Sequence, residues 1–126
     1  MRLEPLLLWI LMGMTACAPL DNREILPDGD RERGATLFSQ SVNGAPACSE
    51  CHTVNGATLV GPSFQDYGET AAARHGEIEA LAYTYMSIVN PGDTVVDGFT
   101  NSMYSQYEQR LTSQQIADLV AYLLAQ

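Results

Sequence analysis

The sequence predicts an all-α domain, three or more helices joined by long loops that need a bound group to organise them. Three observations carry this. Apolar residues recur at helical spacing in three stretches, and no stretch of comparable strength alternates as a strand would. The connections between them exceed roughly 15 residues of Gly-, Ser-, Thr- and Asn-rich chain, too long for a small domain with nothing inside it. A chain of 126 residues suits one domain, whose side chains alone build only a modest core.

The N-terminal stretch stands apart from that domain. "MRLEPLLLWILMGMTACAPL" opens on one Arg, runs apolar from Leu6 to Ala16 and is too short for a comfortable membrane span, which is the shape of an export signal over residues 1–16. The small residue before Cys17, in "MTAC", resembles the lipobox of bacterial lipoproteins, which implies acylation of Cys17 as the mature N-terminus. Residues 17–29 carry two prolines, Gly29 and several acids without apolar periodicity. They read as a flexible tether that, if extended at ~3.3 Å per residue, spans ~40 Å. The domain is then expected over residues 30–126, at the extracytoplasmic (periplasmic) face of a bacterial membrane.

Its first helix is expected from Asp30, an N-cap residue, with Ala35, Leu37, Phe38 and Val42 facing inward. "GEIEALAYTYMSIVNP" predicts a second. Ile78, Leu81, Tyr85 and Ile88 form its stripe with Ala82, Met86 and Val89 beside it, and Asn90-Pro91 ends it because Pro has no donor and restricts the residue before it. The last helix is the clearest: Thr112 and Gln115 form a capping box, and Ile116, Leu119, Val120 and Leu123 follow at helical spacing.

The organising group is indicated by "CSECH". Two thiols three positions apart, followed at once by an imidazole, are the attachment pattern of c-type haem. Cys48 and Cys51 on one turn can each reach a vinyl group of one porphyrin, and His52 can reach its iron. Zinc would want four protein ligands, and with Cys17 acylated only His75 is left as a further Cys or His. A thioredoxin-type pair needs a strand–helix setting in place of the local Gly, Ala, Pro and Ser. A disulfide closing so small a loop would contribute little. One covalent haem c is therefore expected.

Candidates for a second axial ligand are few: Met86, Met103 and His75. Met86 lies on or beside the stripe of the second helix and reads as core filling, and His75 sits in polar "AARHGE". Met103, in "VVDGFTNSMYSQY", fits no stripe and lies in a loop beyond Gly98, so it is the best candidate for the iron.

From Asp30 to Gln126 the chain resembles a small bacterial class I monohaem cytochrome c. The likeness rests on "DRERGATLF", "CSECHTVNGATLVGPSF", "SIVNPGDTVVDGFTNSM" and "LTSQQIADLVAYLL". It implies a small class I cytochrome c fold in which the first and last helices cross through Gly34, Phe38, Leu119 and Tyr122. It also implies that the Pro62 carbonyl accepts the Nδ1 proton of His52, fixing the imidazole and raising its donor strength. A ring in such a site is expected to lie among Leu59, Phe64, Tyr85, Ile88 and Phe99. One position departs from the family: Tyr104 stands where Pro usually follows the ligand Met. Tyr removes a fixed φ and adds a donor, which predicts a looser loop.

Charge limits the partners. A formal net charge of -9, a pI near 4.3 and no lysine argue against nucleic acid, whose phosphates need cationic neutralisation. The spread acids keep the surface solvated and could steer the protein toward a basic partner. An iron filled on both faces offers no place for substrate, and thioether ligation with burial favours the ferrous form, so the reading is an electron carrier rather than an enzyme. The expected role is one-electron transfer by a membrane-tethered cytochrome between redox partner proteins of a respiratory or photosynthetic chain. The alternatives are a fixed subunit of a larger membrane oxidoreductase, of the alternative complex III or terminal oxidase type, and a haem enzyme or gas sensor with an open iron face.

Overall fold

A computed structural model describes residues 26–126, with residues 74–78 as backbone alone. The signal expected over residues 1–16, the lipid site at Cys17 and the first part of the tether lie outside the described residues. In chain order, α1 spans Arg31–Phe38, a single 3-10 turn Cys48–Glu50, α2 Tyr67–Val89, α3 Tyr107–Arg110 and α4 Ser113–Leu123. No β-strand occurs among the described residues, only an isolated bridge between Val42 and Ala45.

The two helix starts read from the sequence have their physical causes in place. The Asp30 carboxylate accepts the backbone N–H groups of Glu32 and Arg33 at 2.9 Å each, satisfying donors that the first turn cannot pair internally. At α4 the Thr112 hydroxyl accepts from Gln115 N at 3.2 Å and the Gln115 amide oxygen accepts from Thr112 N at 2.9 Å.

α1 and α4 pack on each other as their small residues allow. A side chain on Gly34 would overlap the Asp118 carbonyl and meet Tyr122 Cβ at 2.6 Å, so glycine sets the closeness of the crossing. Phe38 is buried beside it, its ring 5.4 Å from that of Tyr122 and 6.3 Å from that of Phe64. Leu119, Val120, Ile116 and Leu123 of α4 complete a core with Ile88, Tyr107 and Leu111.

One polar group lies inside this crossing. Asp118 is 2% exposed, and its carboxylate accepts from Asp30 N at 2.7 Å, Arg33 Nε at 2.8 Å, Arg33 Nη2 at 3.0 Å and Gln114 Nε2 at 2.9 Å. The Arg33 guanidinium, with the Asp30 and Gln114 donors, holds its pKa below the usual carboxylate value against the upward push of burial. Its stabilising effect is complete above pH about 4 and fades as the pH falls through its own lowered value. Because the Arg33 head is half exposed, most of the effect belongs to the buried acceptor role. Asp118→Ala is expected to cost about 2 kcal/mol at neutral pH, a fall in Tm on the order of 10 °C. The gap from wild type should narrow below pH about 4, as followed by thermal unfolding across pH.

The packed chain begins earlier than the sequence suggested. Leu26 packs against the core, the Asp28 carbonyl accepts from Gln114 Nε2 at 2.8 Å, and Gly29 lies so close to Ala117 that a side chain would strike its carbonyl. Residues 26–29, expected as the last part of the tether, are therefore packed against α4 and the core.

α2 is longer than the helix expected from Gly76. Its first turn docks on the C-terminus: Gly68 N donates to Gln126 O at 3.1 Å, and a Gly68 side chain would collide with the Leu124 carbonyl. Within α2, Tyr67 Oη lies 2.9 Å from Thr84 Oγ1. A straight helix would separate these residues by ~25 Å along its axis, so α2 bends between them, in a stretch that contains Gly76. The helix read from the sequence is thus mainly the second arm of an elbow. Among the described residues no helix is long and apolar enough to cross a membrane.

Candidate functional site

The site begins as one turn of chain. Glu50 N donates to Ala47 O at 3.1 Å, Cys51 N to Cys48 O at 3.1 Å and His52 N to Cys48 O at 2.9 Å, while the Glu50 carboxylate accepts from Ala47 N at 2.9 Å. Winding the chain this way brings Cys48 and Cys51, three apart, to one side. Both thiols are unpaired. Burial pushes the Cys48 thiol up to about 11, so it carries little thiolate at neutral pH, which disfavours a redox-active pair.

His52 is held from three directions. Its Nδ1 lies 2.8 Å from the Pro62 carbonyl, which can only accept, so Nδ1 carries the proton and Nε2 keeps its lone pair for a metal. Its ring stacks on Phe64 at 4.7 Å and 30°. Gly61, whose N–H donates to Cys51 O at 2.9 Å, presses against the ring so closely that a Cβ would stand 2.7 Å from Nδ1 and 2.9 Å from Nε2. Burial lowers the His52 pKa, favouring the neutral, ligating form.

Cys48, Cys51, His52, Pro62 and Met103 all line one cavity of about 360 Å³, within the ~300–1,000 Å³ range of cofactor sites. Both arms of α2 contribute walls, through Thr70 and Ala71 from one and Tyr83, Thr84, Ser87 and Ile88 from the other. Leu119 and Leu123 of α4 lie behind, and the segment from Thr94 to Tyr104 crosses the remaining side. Among the described residues no Asp, Glu, Lys or Arg lines it. Polar wall groups are engaged with one another: Thr84 Oγ1 donates to Ala80 O at 2.7 Å and so accepts from the Tyr67 hydroxyl. An apolar slot with two thiols and an imidazole on one wall and a thioether among its lining residues fits a covalently held porphyrin.

Several expected neighbours are placed differently. Phe64, Ile88 and Phe99 line the cavity, whereas Leu59 is 50% exposed and outside it, with Val60 on the lining instead. Leu59, Val60 and Gly61 form a bend, in which Leu59 N donates to Gly61 O at 3.3 Å while Gly61 N is pinned to Cys51 O at 2.9 Å, and this bend leaves Leu59 half exposed. Tyr85 also misses the cavity. With Leu81 it packs on the core, and the face carrying Tyr83, Thr84 and Ser87 turns to the ring site. Met86 is 39% exposed rather than core filling, and it does not line the cavity. His75 falls in α2 among the residues described as backbone alone.

Met103 is half-buried, reaching both the cavity and the core. Its segment turns at Val96–Phe99, where Phe99 N donates to Val96 O at 3.1 Å and Gly98 takes φ +87°, a left-handed conformation that glycine adopts freely. Sequence reasoning gave no role to Tyr107. It is 6% exposed, lines the cavity, and donates its hydroxyl to the Pro46 carbonyl at 3.0 Å; a tyrosine in a one-turn helix gives no periodic signal.

A family model described as Cytochrome c matches residues 31–126. No curated protein matches the chain at a significant level.

Proposed function

The chain belongs to the cytochrome c family, and from that premise we propose that it is a membrane-tethered monohaem electron carrier with His52 and Met103 as its axial ligands. The family carries covalent haem c, and Cys48-Ser49-Glu50-Cys51-His52 fits its attachment motif. When bound, the haem supplies a one-electron iron couple. The chain's residues then determine what that couple does.

Cys48 and Cys51 would hold the ring through thioethers, and Pro62, by keeping Nδ1 of His52 engaged, would present Nε2 to the iron. Met103 would supply the opposite ligand. The observation that carries the reading is the convergence of these residues on one cavity that has no charged side chain among its described lining residues. With His52 and Met103 both held to the iron, exogenous ligands would be excluded, and the apolar walls would raise the potential. Val60, Val95 and Val96, exposed at 60%, 37% and 37%, belong to the cavity lining and give a partner an apolar place of approach. The acidic net charge favours a partner with a basic face.

Tethering would come from acylated Cys17. With Leu26 packed on the core, residues 17–25 would give a reach of at most ~30 Å at ~3.3 Å per residue, shorter than the sequence alone suggests. The test is to express the full chain and its Cys17→Ala variant in a bacterium that matures c-type haem. Wild type is expected in the membrane fraction, released by detergent as a single haem-bearing chain with a lipid mass on Cys17. The variant should be soluble or retain its signal. Wild-type protein cleaved before Cys17 without lipid would overturn the tether, and stoichiometric co-purification with other subunits would overturn the free carrier.

A further inference from the structure

We propose that Tyr104 and Tyr107 form a positioning pair that fixes the Met103 segment to the Cys48–His52 turn, with ring packing in place of a rigid backbone residue. This rests on Met103 being the iron ligand. The N-terminal side of the segment offers little restraint: residues 92–98 are exposed, and among the described residues the backbone bonds within 90–102 are local, Asp93 N to Asn90 O at 3.0 Å, Phe99 N to Val96 O at 3.1 Å and Ser102 N to Thr100 O at 2.8 Å. Restraint comes from the C-terminal side. Tyr104 is half-buried, packs on the core, and meets the Tyr107 ring edge-on at 5.0 Å and 74°.

Tyr107 is itself anchored to the opposite wall. Its hydroxyl donates to the Pro46 carbonyl at 3.0 Å, two residues before Cys48, and its own carbonyl accepts from Leu111 N at 2.8 Å. A second bond ties the same two segments, Asn43 Nδ2 to Arg110 O at 2.9 Å. Asn43 and Gly44, with φ of +51° and +83°, form the tight turn closed by the Val42–Ala45 bridge, so this anchor is a defined turn. The chain of contacts runs from Met103 through Tyr104 and Tyr107 to Pro46 and Cys48, and all five residues line the cavity. The Tyr104 hydroxyl, 3.3 Å from Gln106 Oε1 and exposed, adds little to it.

The test measures imidazole affinity of the oxidised, full-length holoprotein, together with the thioether-to-iron charge-transfer band and Tm. Tyr107→Phe, which removes only the Pro46 bond, is expected to raise imidazole affinity about tenfold, the scale of one net hydrogen bond. Tyr104→Ala should raise it at least as much, and Tyr104→Phe, which keeps the ring contact, should stay within about threefold of wild type. If both Tyr107→Phe and Tyr104→Ala lower Tm but leave imidazole affinity unchanged, the pair is merely structural and the proposal fails. Should Tyr107→Phe not fold, an unchanged affinity in Tyr104→Ala alone overturns it. A wild-type protein without the thioether band refutes the Met103 assignment itself, a distinct outcome from a normal band with unaltered affinities.

Discussion

Met103→Ala is expected to keep its haem covalently attached and to bind carbon monoxide rapidly once reduced, which the wild-type protein should not do. Attachment depends on Cys48 and Cys51, whose turn is closed by its own bonds to Ala47 and Cys48 and does not need Met103. The thioether, by contrast, is the one soft donor that the described lining residues offer besides the two thiols. Its removal should lower the potential by on the order of 0.2 V, a fraction of the ~0.8 V that axial ligands span. Met86→Ala is the control: Met86 is outside the cavity, and its loss should leave potential and carbon monoxide behaviour unchanged. A reversal of the two outcomes, measured by redox titration and gas binding, would move the ligand to Met86.

Gly61→Ala should be nearly as damaging, although the substitution adds only one methyl group. That methyl would stand inside contact distance of both ring nitrogens of His52. The ring has nowhere to retreat, being stacked on Phe64 and bonded to the Pro62 carbonyl. Overpacking of this kind costs about 1–3 kcal/mol, and disturbing the bond that orients a metal-binding histidine typically costs about 10–100-fold in affinity or activity. The expected result is a several-fold drop in the fraction of chain carrying covalent haem, read by mass spectrometry, and a lower potential in what matures. Pro62→Ala gives the contrast, since the accepting group is a backbone carbonyl that alanine also has. A Gly61→Ala protein that matures and titrates like wild type would show that the ring has slack.

What could be read from residues alone was whatever a local pattern encodes. The capping residues Asp30 and Thr112, the stripe of α4 and the Cys48–His52 motif each announce themselves within a few positions. The features that escaped are products of distant contacts. Asp118 looks like an ordinary polar position on α4 until the start of α1 brings Asp30 N and Arg33 to it from 88 and 85 residues away. The first arm of α2 was hidden by Gly68, which weakens helix propensity but is required where the helix meets the Leu124 carbonyl. Tyr85 was misplaced because apolar character says that a residue is buried without saying against what, and Leu59 because a local bend leaves it half exposed. Tyr104 predicted a looser loop by its missing proline ring. Its contact with Tyr107 provides the compensating restraint, and it depends on a one-turn helix that no periodicity marks.

If His52 and Met103 both bind a single haem iron, the near-infrared spectrum of the oxidised wild-type protein carries the signature of the pair. A thioether-to-iron charge-transfer band is expected at neutral pH, disappearing in Met103→Ala and persisting in Met86→Ala. A wild-type spectrum without that band would contradict that ligation and leave the iron face open to other chemistry.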